Sequence, residues 1–193
     1  MSDSGIAEFH RGYLSQVDRQ GLIIDVRYNA GGMVSPLILE KLSHRHLGYD
    51  VPRWGSPESY PYHTLRGHLI VIANQFTGSD GDMFTTSFRQ LKLGKIVGKR
   101  TWGGVVGIDG RYQLVDGTTT TQPQYSIWFH HAGWTVENYG VDPDFEVEDS
   151  PQAFVNNEDP LLYRAIQEML QILKDQPVKS INYSPPPRKY LPD

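Results

Sequence analysis

The sequence predicts an α/β fold in which strands, turns and helices alternate around a parallel sheet. A short apolar run, a turn and an amphipathic helix follow one another at residues 22–44, and the same order recurs at residues 69–91. Such apolar runs are typical of strands buried on both faces, and repeated strand–helix units place their strands parallel. A length of 193 residues fits one domain with a sizeable core.

The first predicted element is a helix that begins near Asp3, ends by Gly21 and has an apolar face at helical spacing. Its apolar residues are Ile6, Phe9, Tyr13, Leu14 and Val17. A buried strand over residues 22–26 follows, and a second helix is predicted from about Val34 to His44. The apolar side of this second helix comprises Leu37, Ile38 and Leu42.

The turn between that strand and that helix, Asn29–Gly32, is a candidate site because it contains Gly31 and Gly32. Glycine lets a backbone N–H approach a ligand without an intervening Cβ. Such an N–H can bind an oxyanion beside a nucleophile, or a phosphate. Neither G-x-G-x-x-G nor a phosphate-loop lysine pattern is present, which weakens the phosphate interpretation. A tight turn that requires positive φ also explains the glycines.

In the second unit, Ser79 lies at the turn from the strand over residues 69–73 into a helix over residues 83–91. The free N–H groups and the dipole of a helix N-terminus favour negative charge. Nucleophilic serine chemistry needs this, because an oxyanion forms beside the nucleophile. The spacing is not G-x-S-x-G, since Thr77 occupies the position of the first glycine. The alternative is that Ser79 or Asp80 simply caps the helix. The apolar side of this helix comprises Phe84, Phe88 and Leu91.

The connection over residues 45–66 is polar and contains Asp50, which by itself is expected to be a turn residue. Beyond the second helix, a strand begins near Lys95 and enters a glycine-rich loop around Trp102. Two further strands are predicted on either side of an Asp116-Gly117 turn, at 111–115 and 124–129.

Glu137 is flanked by Val136 and Tyr139, so its carboxylate is expected to be partly buried. A partly buried carboxylate needs a partner or a raised pKa. A structural hydrogen bond to a turn is the plainer interpretation.

Asp159 is predicted to cap a last helix that runs from Pro160 to about Lys174. The apolar face of this helix comprises Leu162, Ile166, Met169, Leu170 and Leu173. The prediction divides the chain into a folded unit, 1–174, and a proline-rich tail, 175–193. By composition alone the tail should be disordered. An ordered tail of this kind is expected to lie against something, such as another subunit.

Composition excludes several classes of function. The chain has 18 basic and 22 acidic residues, and no basic stripe suggests a nucleic-acid partner. It has no cysteine, which removes disulfide and thiolate sites and fits the cytoplasm. No apolar run approaches a membrane span, and the N-terminus lacks a signal-peptide pattern, so no membrane association is expected. The prediction includes no metal site and no cofactor.

Four blocks carry a resemblance to a known family. They are GLIIDVRYNAGG at 21–32, GSDGD at 78–82, GKRTWGGVVG at 98–107 and VENYGVDPD at 136–144. In this order they resemble the last catalytic subdomain of the tricorn proteases, members of the tail-specific (C-terminal processing) peptidase superfamily. The resemblance implies a crotonase/Clp-peptidase-like layered α/β fold, present here as a partial catalytic region of a larger peptidase. It runs from about Asp3 to the last helix.

The resemblance also implies roles for particular residues. Ser79 matches the family nucleophile, and the backbone N–H groups of Gly32 and Asp80 match its oxyanion hole, with Gly31 beside them on the substrate-binding turn. Glu137 matches the carboxylate that completes the proton-relay tetrad. Asp50 aligns with the acidic residue thought to select basic P1 side chains, which in the family reaches in from a neighbouring subunit. The family is a cytoplasmic hexamer that trims oligopeptides.

One family feature has no match in this sequence, namely the general base. In tricorn proteases a histidine on an earlier catalytic subdomain acts as the base, and the histidines of this chain lie in no matching motif. They are His10, His44, His46, His63, His68, His130 and His131. A serine without a base is a poor nucleophile at neutral pH. The chain is therefore expected to need the upstream catalytic subdomain of its parent and to be inactive alone.

Two alternatives remain at this point. One is a crotonase-like acyl-CoA enzyme, which shares the fold and uses two backbone amides for a thioester enolate. The Gly-Ser-Asp-Gly turn at 78–81 and the absence of an evident adenine-binding segment count against it. The other is a non-catalytic assembly module, which the missing base allows for this part of the parent chain.

Overall fold

A computed structural model describes residues 2–181 of the chain. Its helices are α1 (Asp3–Leu14), α2 (Ser35–Ser43), α3 (Asp80–Gln90), α4 (Pro151–Val155) and α5 (Pro160–Asp175). Its strands are β1 (Gly21–Asp25), β2 (Gly48–Asp50), β3 (Glu58–Tyr60), β4 (His68–Ala73), β5 (Gly94–Gly98), β6 (Gly107–Asp109), β7 (Gln122–Tyr125) and β8 (Phe145–Glu146).

A parallel sheet in the order β1-β4-β5-β8 forms the centre of the fold. Strand β4 is central and fully apolar from Leu69 to Ala73, because both of its faces are covered. Its odd-numbered residues pack with α1, α2 and α3 in one core. Ile70 and Ile72 point the other way and pack with α5 in a second core. The predicted α/β class and the parallel sheet are confirmed.

The residues that end each strand of this sheet share one edge, since all of the strands run in the same direction. Both candidate turns leave that edge: Asn29–Gly32 follows β1, and the Ser79 turn follows β4. Ligand sites of open parallel sheets form at this carboxyl edge.

The predicted helices differ from the observed ones mainly at their ends. The N-cap of α1 is Ser2, whose hydroxyl accepts a hydrogen bond from the Gly5 N–H at 3.3 Å. Helix α1 stops at Leu14, and Gly21, predicted to end the helix, begins β1. A Cβ on Gly21 would lie 2.3 Å from the Met169 sulfur, so glycine is needed there for α5 to pack on the strand.

The assignment of four residues to apolar helix faces is wrong, since Leu37, Leu91, Ile166 and Leu170 are exposed. Each lies off the stripe that faces the sheet. In α5 the buried stripe is Leu161, Ala165 and Met169. Asp159 caps α5 as predicted, because its carboxylate accepts the Leu162 N–H at 2.9 Å.

Two antiparallel hairpins lie outside the main sheet, and the sequence prediction missed one and misplaced the other. Residues 45–66, predicted as a connection, contain the pair β2–β3. In the second hairpin, β6 pairs with β7, so the strands predicted at 111–115 and 124–129 are wrong in extent. The turn between them does form, with Gly117 at φ 83° and its N–H bonded to the Leu114 carbonyl at 2.9 Å.

Residues 176–181, at the start of the predicted tail, lie in no helix or strand, and the expectation for 182–193 falls outside the described residues. None of the helices in residues 2–181 has both the length and the hydrophobicity that crossing a membrane requires.

Candidate active site

Ser79 lies at the N-cap of α3 in a backbone conformation that L-residues rarely adopt, with φ 54° and ψ −116°. Its side chain makes no capping hydrogen bond to the helix, contrary to the capping alternative. Holding a serine in such a conformation costs about 1–3 kcal/mol. This strand-to-helix turn therefore leaves Ser79 half-buried at the carboxyl edge, and its hydroxyl is not used to cap the helix.

The glycine turn after β1 lies directly against Ser79. A Cβ on Gly31 would come within 3.0 Å of the Ser79 Oγ and 3.6 Å of the Asp80 nitrogen. Gly31 and Gly32 both have positive φ, at 119° and 145°. The Gly78 N–H donates to the Asn29 carbonyl at 2.8 Å and links the two turns. The structure thus brings the two predicted turns together.

The carboxylate of Asp80 ties α3 to the start of α2. It is buried, and its Oδ2 accepts hydrogen bonds from the N–H groups of Val34 and Ser35 at 2.8 Å and 3.0 Å. The Ser35 hydroxyl donates to the other oxygen. Because Val34 closely follows Gly32, these bonds fix the glycine turn relative to Ser79. The side chain of Asp80 has this supporting role, while its own N–H is one of those with no acceptor within the helix.

A second aspartate of the same helical turn, Asp82, was not among the predicted site residues. Its side chain is 0% exposed, and it accepts the N–H groups of Gly103 at 2.9 Å and Gly104 at 3.2 Å. The Thr101 hydroxyl and the Ser79 N–H also face this carboxylate. Burial raises the pKa of the Asp82 carboxyl, although these four donors act in the opposite direction.

Glu137 is partly buried, as predicted, and its partners are backbone groups. Its Oε2 accepts the N–H groups of Val105 and Val106 at 2.7 Å and 2.8 Å. The next residue, Asn138, donates its N–H to the Gly103 carbonyl at 2.7 Å. The glycine-rich loop therefore holds Glu137 from both sides. The plainer interpretation, a structural hydrogen bond to a turn, describes these contacts.

Asp50 lies in the β2–β3 hairpin and makes no contact described here with the other predicted site residues. It ends β2, opposite Glu58 in the hairpin, and its side chain is exposed. A hydrogen bond from the Tyr62 hydroxyl to Asp50 raises the pKa of Tyr62. No hydrogen bond or ion pair within residues 2–181 joins Asp50 to Ser79 or to the glycine turn.

An apolar pocket of about 350 Å³ opens beside Ser79. Its lining consists of Tyr28, Ala30, Gln75, Phe76, Gly78 and Trp102. The rings of Tyr28 and Phe76 stack with their centroids 5.5 Å apart, and Trp102 is 65% exposed. Gly78 allows the indole to approach, since a Cβ there would lie 2.7 Å from the Trp102 ring. The lining contains no charged side chain.

No histidine of the described chain forms a hydrogen bond with Ser79. His131 bonds to Gln90 at 2.8 Å, and His68 bonds to the Gln176 carbonyl at 2.8 Å, both away from the carboxyl edge. Residues 2–181 also contain no group of three or more metal-ligating side chains that could hold an ion. Residues 2–181 therefore place the Ser79 hydroxyl beside the glycine turn without a histidine bonded to it.

Comparison with known sequences shows the family. The sequence profile described as Peptidase family S41 matches residues 2–147. The chain belongs to peptidase family S41. This membership favours a peptidase over the crotonase-like alternative, and it confirms the resemblance inferred from the four sequence blocks.

Within S41, the chain is 52% identical over 174 residues to the tricorn protease of Thermoplasma volcanium. That alignment covers 90% of this chain and 17% of the relative. The crystal structure of the tricorn protease superposes with a TM-score of 0.85 at 49% identity, over 88% of this chain and 17% of that chain. The chain thus spans about a sixth of the length of these relatives.

A more distant S41 neighbour is the photosystem II D1 C-terminal processing protease. It superposes with a TM-score of 0.53 at 22% identity, over 76% of this chain and 40% of that one. At this identity the similarity shows the fold alone. It supports the shared layered α/β fold.

Proposed function

We propose that the chain is the nucleophile-bearing part of a tricorn-like serine endopeptidase that hydrolyses oligopeptides. The observation that carries the proposal is the strained turn at Ser79, against which Gly31 packs closely. A Cβ added to Gly31 would lie 3.0 Å from the Ser79 Oγ. Strain is retained at a residue only where the surrounding fold over-determines it, and such residues cluster at functional sites. Membership of a peptidase family supplies the class of reaction.

In this proposal the Ser79 Oγ attacks the carbonyl carbon of the scissile peptide bond, and a general base accepts the hydroxyl proton. The N–H groups of Gly32 and Asp80 stabilise the resulting oxyanion. Within residues 2–181 the Gly32 N–H has no acceptor in the protein, as an oxyanion donor requires. The base then gives its proton to the leaving amine as the C–N bond breaks, and water hydrolyses the acyl-enzyme.

Glu137 is proposed to complete the proton relay by orienting the base. Its Oε2 is occupied by two backbone N–H groups, so the carboxylate is fixed in position and its Oε1 has no such backbone donor among the described residues. A carboxylate held in this way can orient a protonated base and stabilise its charge. The base itself is proposed to come from the upstream catalytic subdomain of the parent chain, and the present chain alone is therefore expected to be inactive.

Substrate selection is proposed to involve two separate surfaces. The apolar pocket beside Gly78 has room for an uncharged side chain next to the scissile bond. Selection of basic P1 residues is assigned to Asp50, which, as an exposed residue of a hairpin, is proposed to reach the site of a neighbouring subunit. This assignment requires a homo-oligomer, a hexamer in the tricorn family, and the cytoplasm is the proposed location. The peptidase subdomain is proposed to comprise residues 1–174.

The test is a fluorophosphonate label and a peptide assay, applied to the purified chain alone and to the chain mixed with its upstream catalytic subdomain. We expect turnover of a tripeptide amide ending in arginine only in the mixture, together with labelling that Ser79→Ala abolishes. The loss of turnover should be about six orders of magnitude. Ser43→Ala, which removes a hydroxyl bonded to the Glu40 carbonyl, serves as the control.

Three results would contradict parts of the proposal. Turnover by the mixture that survives Ser79→Ala would remove Ser79 as nucleophile. Robust turnover by the chain alone that depends on Ser79 would show that the chain supplies its own base. An absence of labelling and turnover in every combination would favour the assembly-module alternative.

A further inference from the structure

The first turn of α3 holds two buried aspartates that act on opposite loops. Asp80 accepts its hydrogen bonds from the start of α2, on the side of the glycine turn. Asp82 accepts its hydrogen bonds from the glycine-rich loop, on the side of Glu137. The N–H of Asp80 is proposed above to bind the oxyanion, whereas Asp82 has no proposed role so far.

Four donor groups surround the carboxylate of Asp82. Gly103 donates to Oδ1 at 2.9 Å and Gly104 to Oδ2 at 3.2 Å, so each oxygen accepts one N–H of the same loop. The Ser79 N–H, at the N-cap, and the Thr101 hydroxyl face the same carboxylate and lower its pKa. The position of Ser79 is that of the reach-back contact to a carboxylate at the third helical residue.

Thr101 extends this network to the segment that carries Glu137. Its Oγ1 accepts the Val141 N–H at 2.8 Å, and its own N–H donates to the Val141 carbonyl at 3.1 Å. The same hydroxyl faces the Asp82 carboxylate. The glycine at 140 is required for this contact, since a Cβ on it would lie 2.2 Å from the Thr101 carbonyl oxygen. The segment is therefore packed backbone to backbone on the loop.

We propose that Asp82 is a positioning residue that holds the Ser79 turn and the Glu137-binding loop in a single arrangement. The proposal rests on the proposed peptidase function, in which Ser79 and Glu137 act on the same substrate. Asp82 touches neither substrate nor base in this role. It acts on the N–H of Ser79 on one side and on Gly103 and Gly104 on the other. These two glycines directly precede Val105 and Val106, whose N–H groups bind Glu137.

An ionised carboxylate suits this role better than any neutral side chain. It accepts from four donors and offers no donor that could clash with an N–H. Asn at the same position keeps the shape but turns an NH₂ group toward at least one N–H donor. Leaving a buried donor without an acceptor is costly, so the loop is expected to move away from α3 in that variant.

The first experiment uses the present chain without any assay of activity. Amide hydrogen exchange is measured on the wild type, Asp82→Asn and the matched control Asp144→Asn. Asp144 is also a carboxylate that accepts a backbone N–H, from Ile96 at 2.8 Å, but it binds the middle of β5 and not the loop that follows this strand. We expect at least tenfold faster exchange at Ser79, Val105 and Val106 in Asp82→Asn only. Unchanged exchange at these amides would overturn the proposal.

Thr101→Val is the second variant, in case Asp82→Asn does not fold. It has the same shape as threonine but lacks the hydroxyl that donates to Asp82, so the same amides should exchange faster to a smaller degree. A Thr101→Val chain with wild-type exchange at Ser79 and Val105 would also count against the proposal.

The second experiment uses the chain paired with its upstream subdomain and measures kcat and KM for Asp82→Asn, Glu137→Gln and the double variant. We expect Asp82→Asn to lower kcat about 10- to 100-fold with little change in KM. Because both residues act through one loop, the double variant should be little worse than Glu137→Gln alone. If the loss of kcat in the double variant equals the product of the two single losses, Asp82 and Glu137 do not act through one loop. Accelerated exchange without any peptidase activity would instead mean that the proposed function fails while the positioning role stands.

Discussion

The carboxyl edge of the sheet and the β2–β3 hairpin differ in how tightly their groups are fixed. At the edge, Ser79, Asp80 and Asp82 lie within one helical turn, and buried carboxylates attach that turn to two loops. In the hairpin, Asp50 is exposed and pairs across only three residues of strand on each side. The difference indicates that the fold of this chain fixes the position of the Ser79 turn, whereas the surroundings of Asp50 are left open to solvent.

The largest expected effect that separates these two regions comes from matched glycine substitutions. Gly31→Ala places a Cβ 2.7 Å from the Ser79 Cβ at φ 119°, whereas Gly55→Ala, in the β2–β3 connection, has φ 103° and open space around it. The unfavourable φ should cost about 1–2 kcal/mol of stability in both variants. Only Gly31→Ala should also lower kcat/KM, by about 100-fold, because the nucleophile is displaced.

Urea unfolding and peptide assays of the two variants, in the presence of the upstream subdomain, check this prediction. Equal activities of Gly31→Ala and Gly55→Ala at equal stability would mean that the close approach to Ser79 has no catalytic importance.

The next largest effect concerns the choice of the P1 side chain and tests the role of the β2–β3 hairpin. Asp50→Asn should reduce kcat/KM about 10- to 100-fold for substrates with Lys or Arg at P1, because a fixed carboxylate pairs with the cation away from water. Substrates with an apolar P1 residue should be affected little. Glu58→Gln, directly opposite in the hairpin, removes a similar charge and is the control. Equal losses for both substrate classes would remove the assignment of Asp50.

The smallest effect concerns the ion pair that joins the carboxyl end of β1 to the start of α5. Arg27 follows β1 and donates to Asp159, the N-cap of α5, at 2.7 Å and 2.9 Å. Arg27→Met should lower the free energy of unfolding by about 1–3 kcal/mol at pH 7. Arg11→Met should change it by less than about 0.5 kcal/mol, since the Arg11–Glu8 pair is exposed.

The same pair gives a pH dependence with a defined sign. The hydrogen bond from Arg27 lowers the pKa of the Asp159 carboxyl below its ordinary 3.8. The ion pair therefore contributes fully to the free energy of unfolding above the pKa of Asp159 in the unfolded chain, about 3.9. This contribution is lost as the pH falls through the lower pKa that Asp159 has in the folded chain. Denaturant unfolding at pH 7 and pH 3 should show that the difference between wild type and Arg27→Met shrinks in acid. A difference independent of pH would contradict the ion-pair explanation.

Patterns confined to short stretches of sequence predicted the framework well. The apolar run of β4 and the turns at Asn29–Gly32 and Ser79 could be located because strand burial and turn chemistry are local properties. The hairpins were harder, since β2 and β3 are short and polar and their pairing depends on the rest of the fold. Exposed strands of this kind carry little alternation of apolar and polar residues.

Asp82 shows why part of the site was missed. In the sequence it stands beside a candidate nucleophile as one more acidic residue in the first turn of a helix. Its partner Gly103 is 21 residues away, so the contact becomes visible only when the loop is placed on α3. A signal was nevertheless present, because an aspartate at the third position of a helix after Ser79 fits a reach-back bond to the cap.

The β6–β7 hairpin has a consequence for where the chain can be cut. The Asp116-Gly117 turn at its tip is exposed and makes no bond to α3, to the glycine turn or to the Glu137 loop. New chain ends at an exposed tip of this kind are tolerated when no buried backbone bond is broken. Peptide-bond cleavage at this tip would leave every contact described around Ser79 in place, whereas cleavage between Thr101 and Val106 would break the loop that binds both Asp82 and Glu137. The tip is thus a natural insertion point for a reporter or an affinity handle.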